Sequence, residues 1–457
     1  MCTQQWIERR SWNISARIVC APFRALLLLS LALAVFGAAP SAAQTSRPDE
    51  PARQGDSSEV VWEGEIVGRV YEPYQRWVPG ESPASATSEL DAIYKPAEAL
   101  LEAPPLDGPI DRFLEATASL EEATGLRLGF AYTMIFQQAS GGPGRRRGAS
   151  GDFDIIGAWT LLGRDTPDTG TLVFSFEERH KIGPLSANAL RGELGTLHPP
   201  TNGFNDRGFV VRDIYWIQRL FEDRFRFAFG RGDTSDFFGA HRMQSLNVSF
   251  SNRAFSANTV VPSPGHGLFA GFSVRPSDQF YATIGGANAY GQTSINDMKY
   301  LSEGDFFTFG EFGFTPEIEG LGSGRYRAVL WHMDARGRRD IPSDKGFSII
   351  LDQDLGEQLL AFARYGYADE AITSIRSSFE IGGGIRGLLG SPDNMTGVAF
   401  AYSEPTQGSD EKVIEAFQRW QLTRHSQFTL GVQGIFDPSN SDADSLAVFT
   451  VRYRITF

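Results

Sequence analysis

The sequence predicts an all-β protein: a closed, antiparallel transmembrane β-barrel of about sixteen strands, preceded by a polar N-terminal tail and one short helix. Three observations predict it. The composition favours strands and turns, with 35 Phe, 49 Gly and 12% aromatics among 457 residues; Gly is costly in helices, and aromatics prefer strands. From Leu126 onward the chain breaks into about sixteen segments, each near the length that crosses a bilayer as a tilted strand. Tight turns and longer polar loops then alternate between those segments, as they do at the two ends of a membrane barrel. A mean hydropathy of −0.22 excludes a polytopic helical membrane protein.

Residues 1–43 read as a secretion leader. Arg9, Arg10, Arg17 and Arg24 form a basic start, "ALLLLSLALAVF" (25–36) is apolar, and "GAAPSAAQ" suits cleavage after Ala43. The two cysteines, Cys2 and Cys20, fall in this leader. Disulfides therefore cannot hold the rest, whereas a closed barrel can. The net charge is −13, and no basic face for nucleic acid is present.

Residues 44–110 are acidic and Pro-rich and read as an extended periplasmic tail or linker. Residues 111–125 predict a short helix: Asp111 can cap it, Phe113, Leu114 and Leu120 share a face, and Gly125 can stop it. The barrel is expected over 126–457. Its segments begin at 126–138, 152–162, 170–181 and 209–220 and end at 412–423, 426–436 and 446–457.

The strands carry two environments. In "TLVFSFEE", Leu172, Phe174 and Phe176 oppose Val173, Ser175 and Glu177. In "DRFRFAFGR", Phe225, Phe227 and Phe229 oppose Arg224, Arg226 and Ala228. In "GRYRAVLWH", Tyr326, Ala328 and Leu330 oppose Arg325, Arg327, Val329 and Trp331. The core of a β-sandwich cannot bury so many charges, but a water-filled lumen can hold them. The last strand, "LAVFTVRYRITF" (446–457), turns Phe449, Val451, Tyr453, Ile455 and Phe457 towards lipid and Arg452 and Arg454 towards the lumen.

A strand ending in an aromatic residue resembles the carboxy-terminal signature of outer-membrane proteins. That resemblance implies that Tyr453, Ile455 and Phe457 form the signal read by the outer-membrane assembly machinery. A narrower resemblance follows from "IYWIQRLFEDRFRFAFGRGDTSDFF" (214–238), "GHGLFAGFSVRPSDQFYATIGGANAYG" (265–291), "GDFDIIGAWTLLG" (151–163) and "EAFQRWQLTRHSQFTLGVQGIFDP" (415–438). Taken in their order along the chain, they resemble the carbohydrate-selective porin family (OprB type), over roughly 126–457. The resemblance implies a monomeric, sixteen-stranded outer-membrane channel for passive diffusion of glucose and similar small sugars, with no cofactor and no catalysis. The loop "SGGPGRRRGAS", with Arg145, Arg146 and Arg147 in a row, departs from what the family leads one to expect. Two other readings stay open: a general porin without sugar preference, and a secreted or surface glycan-binding β-protein without a pore.

Sugar selection in a pore needs planar donors, carboxylates and aromatic faces where the lumen narrows. The longest loop, 232–266, is the expected constriction, with Asp233, Asp236, Phe237, Phe238, His241, Arg242, Asn247, Asn252 and Arg253. The loop 182–208 is second, with Arg191, Glu193, His198 and Asn205. The walls offer Arg226, Arg325, Arg327, Trp331, Glu177, Arg452 and Arg454. Against each wall charge stands the plain alternative of an ion pair across the lumen. The six histidines (180, 198, 241, 266, 332, 425) make no His-Glu-x-x-His spacing, and no motif ties a serine to a histidine, so neither a metal site nor an enzyme is expected.

Overall fold

A computed structural model describes residues 81–95, 97–291 and 297–457. The leader, both cysteines and the tail up to residue 80 lie outside the described residues. Two helices, α1 (Ala86–Tyr94) and α2 (Pro104–Thr124), precede the sheet. The strands are β1 (Leu126–Ala139), β2 (Arg147–Leu162), β3 (Gly170–Lys181), β4 (Gly208–Leu220), β5 (Phe225–Asp233) and β6 (His266–Val274). They continue with β7 (Phe280–Asn288), β8 (Phe306–Phe314), β9 (Glu317–Ile318), β10 (Gly322–Met333), β11 (Asp344–Leu355) and β12 (Leu359–Ala368). The last are β13 (Ile375–Arg386), β14 (Met395–Pro405), β15 (Glu411–Thr423), β16 (Ser426–Phe436) and β17 (Ser445–Thr456).

β9 is a two-residue rim piece on β10. The other sixteen strands each pair antiparallel with their neighbours in the chain, and β1 pairs with both β2 and β17, so the ring closes. The seam runs to the last residue: Phe457 N–H donates to Phe130 O at 2.8 Å and Phe130 N–H to Phe457 O at 2.5 Å. A spanning sheet needs this closure, because an open edge leaves backbone groups unsatisfied in hydrocarbon. The outer face carries exposed apolar residues, among them Phe229, Phe272, Leu330, Val398 and Phe449. Phe457 stacks on Phe130 and meets Phe113 of α2 edge-on.

The lumen is not an open tube. The loop 234–265, with the short helix α4 (Arg253–Ser256), folds inward. Its Met243, Phe250 and Phe255 are fully buried against Leu360, Phe362, Met395, Val413 and Phe417 of the wall. Phe250 meets the Phe417 ring edge-on at 5.0 Å. Burying each such side chain contributes about 1.5–3 kcal/mol, so the loop is packed rather than merely laid in. Glycines on the wall make room: a Cβ at Gly384 would lie 2.6 Å from Met243 Cε.

Residues 81–95 and 97–103, expected as extended tail, pack on the lumen wall or bond the short-turn end, where Leu100 and Leu101 N–H donate to Gln421 O and Leu422 O. Ser85 caps α1 by accepting from Ser88 N–H at 3.1 Å. Ala86, Leu90 and Ile93 pack on Ile156, Val173, Tyr215 and Ile217 of the lumen face. A Cβ at Gly129 would lie under 3 Å from Leu90 and Ile93, so β1 is shaped to receive α1. The polar composition of 44–110 hides one apolar helical face of three residues. α2 begins at Pro104 rather than near 111, with proline at its first turn. It ends at Gly125, whose φ of 79° gives a left-handed cap.

Candidate permeation pathway

The space left by these insertions lies beside β2–β5. A cavity of about 360 Å³ is lined by α1 and the residues before it (Ser82, Ala84, Glu89), by Asp154 of β2, Glu177 and Arg179 of β3, and Arg212 of β4. Asp233, Asp236, Gln244, Asn247 and His266 close it from the side of the long loop. Its charges are largely paired. Arg179 bonds Asp152 at 2.9 Å and also meets Glu177, which Arg207 holds from the other side. Arg212 pairs with Asp236 at 2.6 Å and donates to Ala84 O. Glu89 accepts from Asn247 at 2.8 Å and from Arg454 at 3.3 Å. Asp152, Asp154 and Glu177 place carboxylate oxygens within 4.8 Å of one another. The carboxylate of Asp154, a residue only 5% exposed, has no side-chain hydrogen bond or ion pair among the described residues.

A second cavity of about 210 Å³ adjoins this one, sharing Asn202, Asp233, Ser235, Gln244 and Ser256, and adds Phe238, Arg253 and Asn258. Burial and the nearby Arg191 pull the Arg253 guanidinium down to about 10. A third, of about 120 Å³, lies at the short-turn end, between α1 and β15–β17.

Of the residues singled out from sequence, Asp233, Asp236, Asn247 and Glu177 line the main cavity, Asp233, Phe238 and Arg253 the second, and Arg454 the third. The others sit elsewhere, because the lumen is filled where water was expected. Trp331 is buried with Phe307, Phe309 and Val329 under the long loop. Arg327 meets Asp352 and Ala240 O, and Arg325 lies 3.8 Å from the same Asp352. Arg242 bonds Asp354 at 2.9 Å, and its N–H donates to Asp352. Arg452 donates to Leu246 O and Ser249 O at 2.7 and 2.8 Å. These groups hold the loop. Arg226 pairs with Asp223 of the tight turn after β4.

Asn252 caps α4 and bonds Gln433. His241 stacks on Phe362 at 4.0 Å, and burial depresses its imidazole well below the usual range. In the loop after β3, Arg191 and Glu193 lie on α3 (Leu190–Leu194), and Glu193 accepts from Arg145 N–H. His198 is buried against Ser403 at 2.9 Å, and burial lowers it to about 3.

Sequence reasoning missed Glu89, Asp154, Arg179, Arg207, Arg212 and Gln244. Arg212 is the extra residue of a bulge, for Ser175 pairs with Asp213 and Phe176 with Val211. The bulge breaks period-two alternation and lets Arg212 and Asp213 both reach the lumen. Asp154 was legible, since it shares parity with the inner residues of β2.

With this geometry in view, comparisons with known proteins agree. The family model for the carbohydrate-selective porin, OprB family, matches residues 113–457. Porin AaxA of Chlamydia abortus is 23% identical over 312 residues, covering 65% of this chain and 67% of that protein. Porin AaxA of Chlamydia felis is 23% identical over 313 residues, covering 65% and 68%. The high-pH structure of Pseudomonas putida OprB superposes with a TM-score of 0.62 at 14% identity, covering 75% of this chain and 97% of that one; at that identity the likeness concerns the fold.

Proposed function

The chain belongs to the carbohydrate-selective porin, OprB family, and is an outer-membrane porin; we propose that it passes small sugars, monosaccharides such as glucose, by passive diffusion into the periplasm. The observation that carries this reading is the lining of the main cavity. Fixed guanidinium donors (Arg179, Arg207, Arg212), carboxylate acceptors and the amides of Gln244 and Asn247 surround a space of about 360 Å³. Hydroxyl-rich neutral solutes can exchange hydrogen bonds with such a wall while losing little of what water gave them. Because most of these charges are paired among themselves, no single sign of solute is held tightly, which suits release as well as entry. Nothing in this scheme needs a cofactor or an energy source.

The chain acts in this proposal as a monomer in outer-membrane lipid, with its leader removed near Ala43. Tyr453, Ile455 and Phe457 serve as the signal for the assembly machinery, and Phe457 also seals the seam with Phe130. Deleting Phe457 should therefore sharply reduce the heat-modifiable, folded form in outer membranes.

Liposome swelling tests the transport reading. Glucose should enter faster than a neutral non-sugar of the same size, and trisaccharides should lag. Equal rates after correction for size would replace it with a general porin, and no permeation at all would remove both.

A further inference from the structure

α1 lies outside the family-matched residues 113–457, yet it stands in the channel. Three kinds of contact fix it there. Its apolar face is buried on the lumen wall. The residues before it are tied to the long loop and to β4, through Ser82 N–H to Asp236 O at 2.7 Å and Arg212 to Ala84 O at 3.3 Å. Glu89 is clamped between Asn247 of the loop and Arg454 of β17. The main cavity and the cavity at the short-turn end meet at α1, and among the described residues Glu89 is the one side chain that lines both.

We propose that Glu89 of α1 is a specificity-determining residue of this pore: with Arg454 and Asn247 it forms the narrow junction that a solute must pass between the two cavities. This rests on the porin reading and deepens it. A solute crossing the junction has to part the Glu89–Arg454 and Glu89–Asn247 bonds and replace them with its own. Hydroxyl groups can do so from either side, as donors to the carboxylate and acceptors from the guanidinium and the amide. A solute without such groups leaves a buried pair unsatisfied, at a cost set by desolvation. The insert therefore limits both size and chemistry.

Single-channel recording of the full-length protein in planar bilayers tests this. The unaltered protein must conduct; if it does not, the porin reading fails and the inference with it. Given conduction, Glu89→Ala should raise conductance by about twofold or more, because the junction opens while the wall stays intact. Glu89→Gln, which keeps the shape, should hold conductance nearer the original and move the reversal potential in a KCl gradient towards anions, since Arg454 is left uncompensated. Ala92 is exposed in the cavity at the short-turn end, so Ala92→Cys treated with a bulky thiol reagent should lose most of its conductance. Glu89→Ala with unchanged conductance would overturn the proposal. If that variant does not assemble, an unchanged reversal potential in Glu89→Gln together with undiminished conductance in labelled Ala92→Cys would overturn it instead.

Discussion

The two sides of the lumen use the same residue types for opposite ends. On the β2–β4 side, Asp154, Glu177, Arg179 and Arg212 border open space. On the β10–β15 side, Arg327, Asp352, Arg364, Glu380 and Glu415 are all fully buried, whereas Arg179 and Arg212 are only partly so, and the former are engaged by the backbone and side chains of the long loop. Arg364 meets Glu380, Gln244 and Ala257 O. Glu415 accepts from Ser251 N–H, Ser251 Oγ and Asn252 N–H at 2.8–2.9 Å. The difference teaches that an inward-pointing charge on a barrel wall is a pore residue where the inserted segments leave space beside it, as they do at Arg212 although Asp236 and Ala84 O meet it. Elsewhere it replaces the solvation that the loop's polar groups lost on entering the lumen.

The largest contrast should come from one aspartate on each side. Asp352→Ala removes the buried carboxylate that meets Arg327 and accepts from Arg242 N–H, and breaking such a buried pair costs roughly 3–5 kcal/mol. The unfolding temperature seen as the shift between folded and heat-denatured gel bands should fall clearly. Asp154→Asn removes no side-chain hydrogen bond or ion pair, so the same assay should move little. Similar destabilisation by both would break the contrast.

A smaller effect is expected from Glu415→Ala, which strands the Ser251 and Asn252 N–H groups at about 1–3 kcal/mol. The loop should loosen locally, and bilayer recordings should show added open-channel noise. The smallest effect concerns pH. His198 stays neutral when folded, lowered to about 3, while its unfolded value is about 6.5. Below about 6.5 the unfolded chain takes up a proton that the folded chain refuses, so stability is full above that pH and declines as pH falls towards 3. His198→Gln should flatten the acid side of a melting-temperature profile.

Much of the barrel was legible because a lipid-facing wall forces period-two alternation on every strand; Phe225 to Phe229 and Tyr326 to Leu330 could hardly be read otherwise. The inward fold of 234–265 could be anticipated from its length. What could not be read was occupancy. Parity puts Arg327 and Arg452 on the lumen face, but no local pattern says that loop carbonyls will meet them. α1 was hidden for a related reason. Leu90 and Ile93 sit in an acidic, Pro-rich stretch, and only the glycine and apolar patch across β1–β4 make that short face worth burying. Arg212 needed a bulge that composition does not mark.

The central claim is that solutes pass beside β2–β4 and not through the loop-filled side, and cysteine accessibility tests it most directly. Asp154 and Ser378 are equally little exposed, at 5%, but Asp154 lines the cavity, whereas Ser378 bonds Ser403, which His198 of the loop after β3 covers; each is replaced by cysteine in turn. In recordings with a small charged thiol reagent, Asp154→Cys should react quickly and lose conductance, while Ser378→Cys should stay unmodified and unchanged. Equal reactivity with equal block, or block at Ser378→Cys alone, would contradict the account.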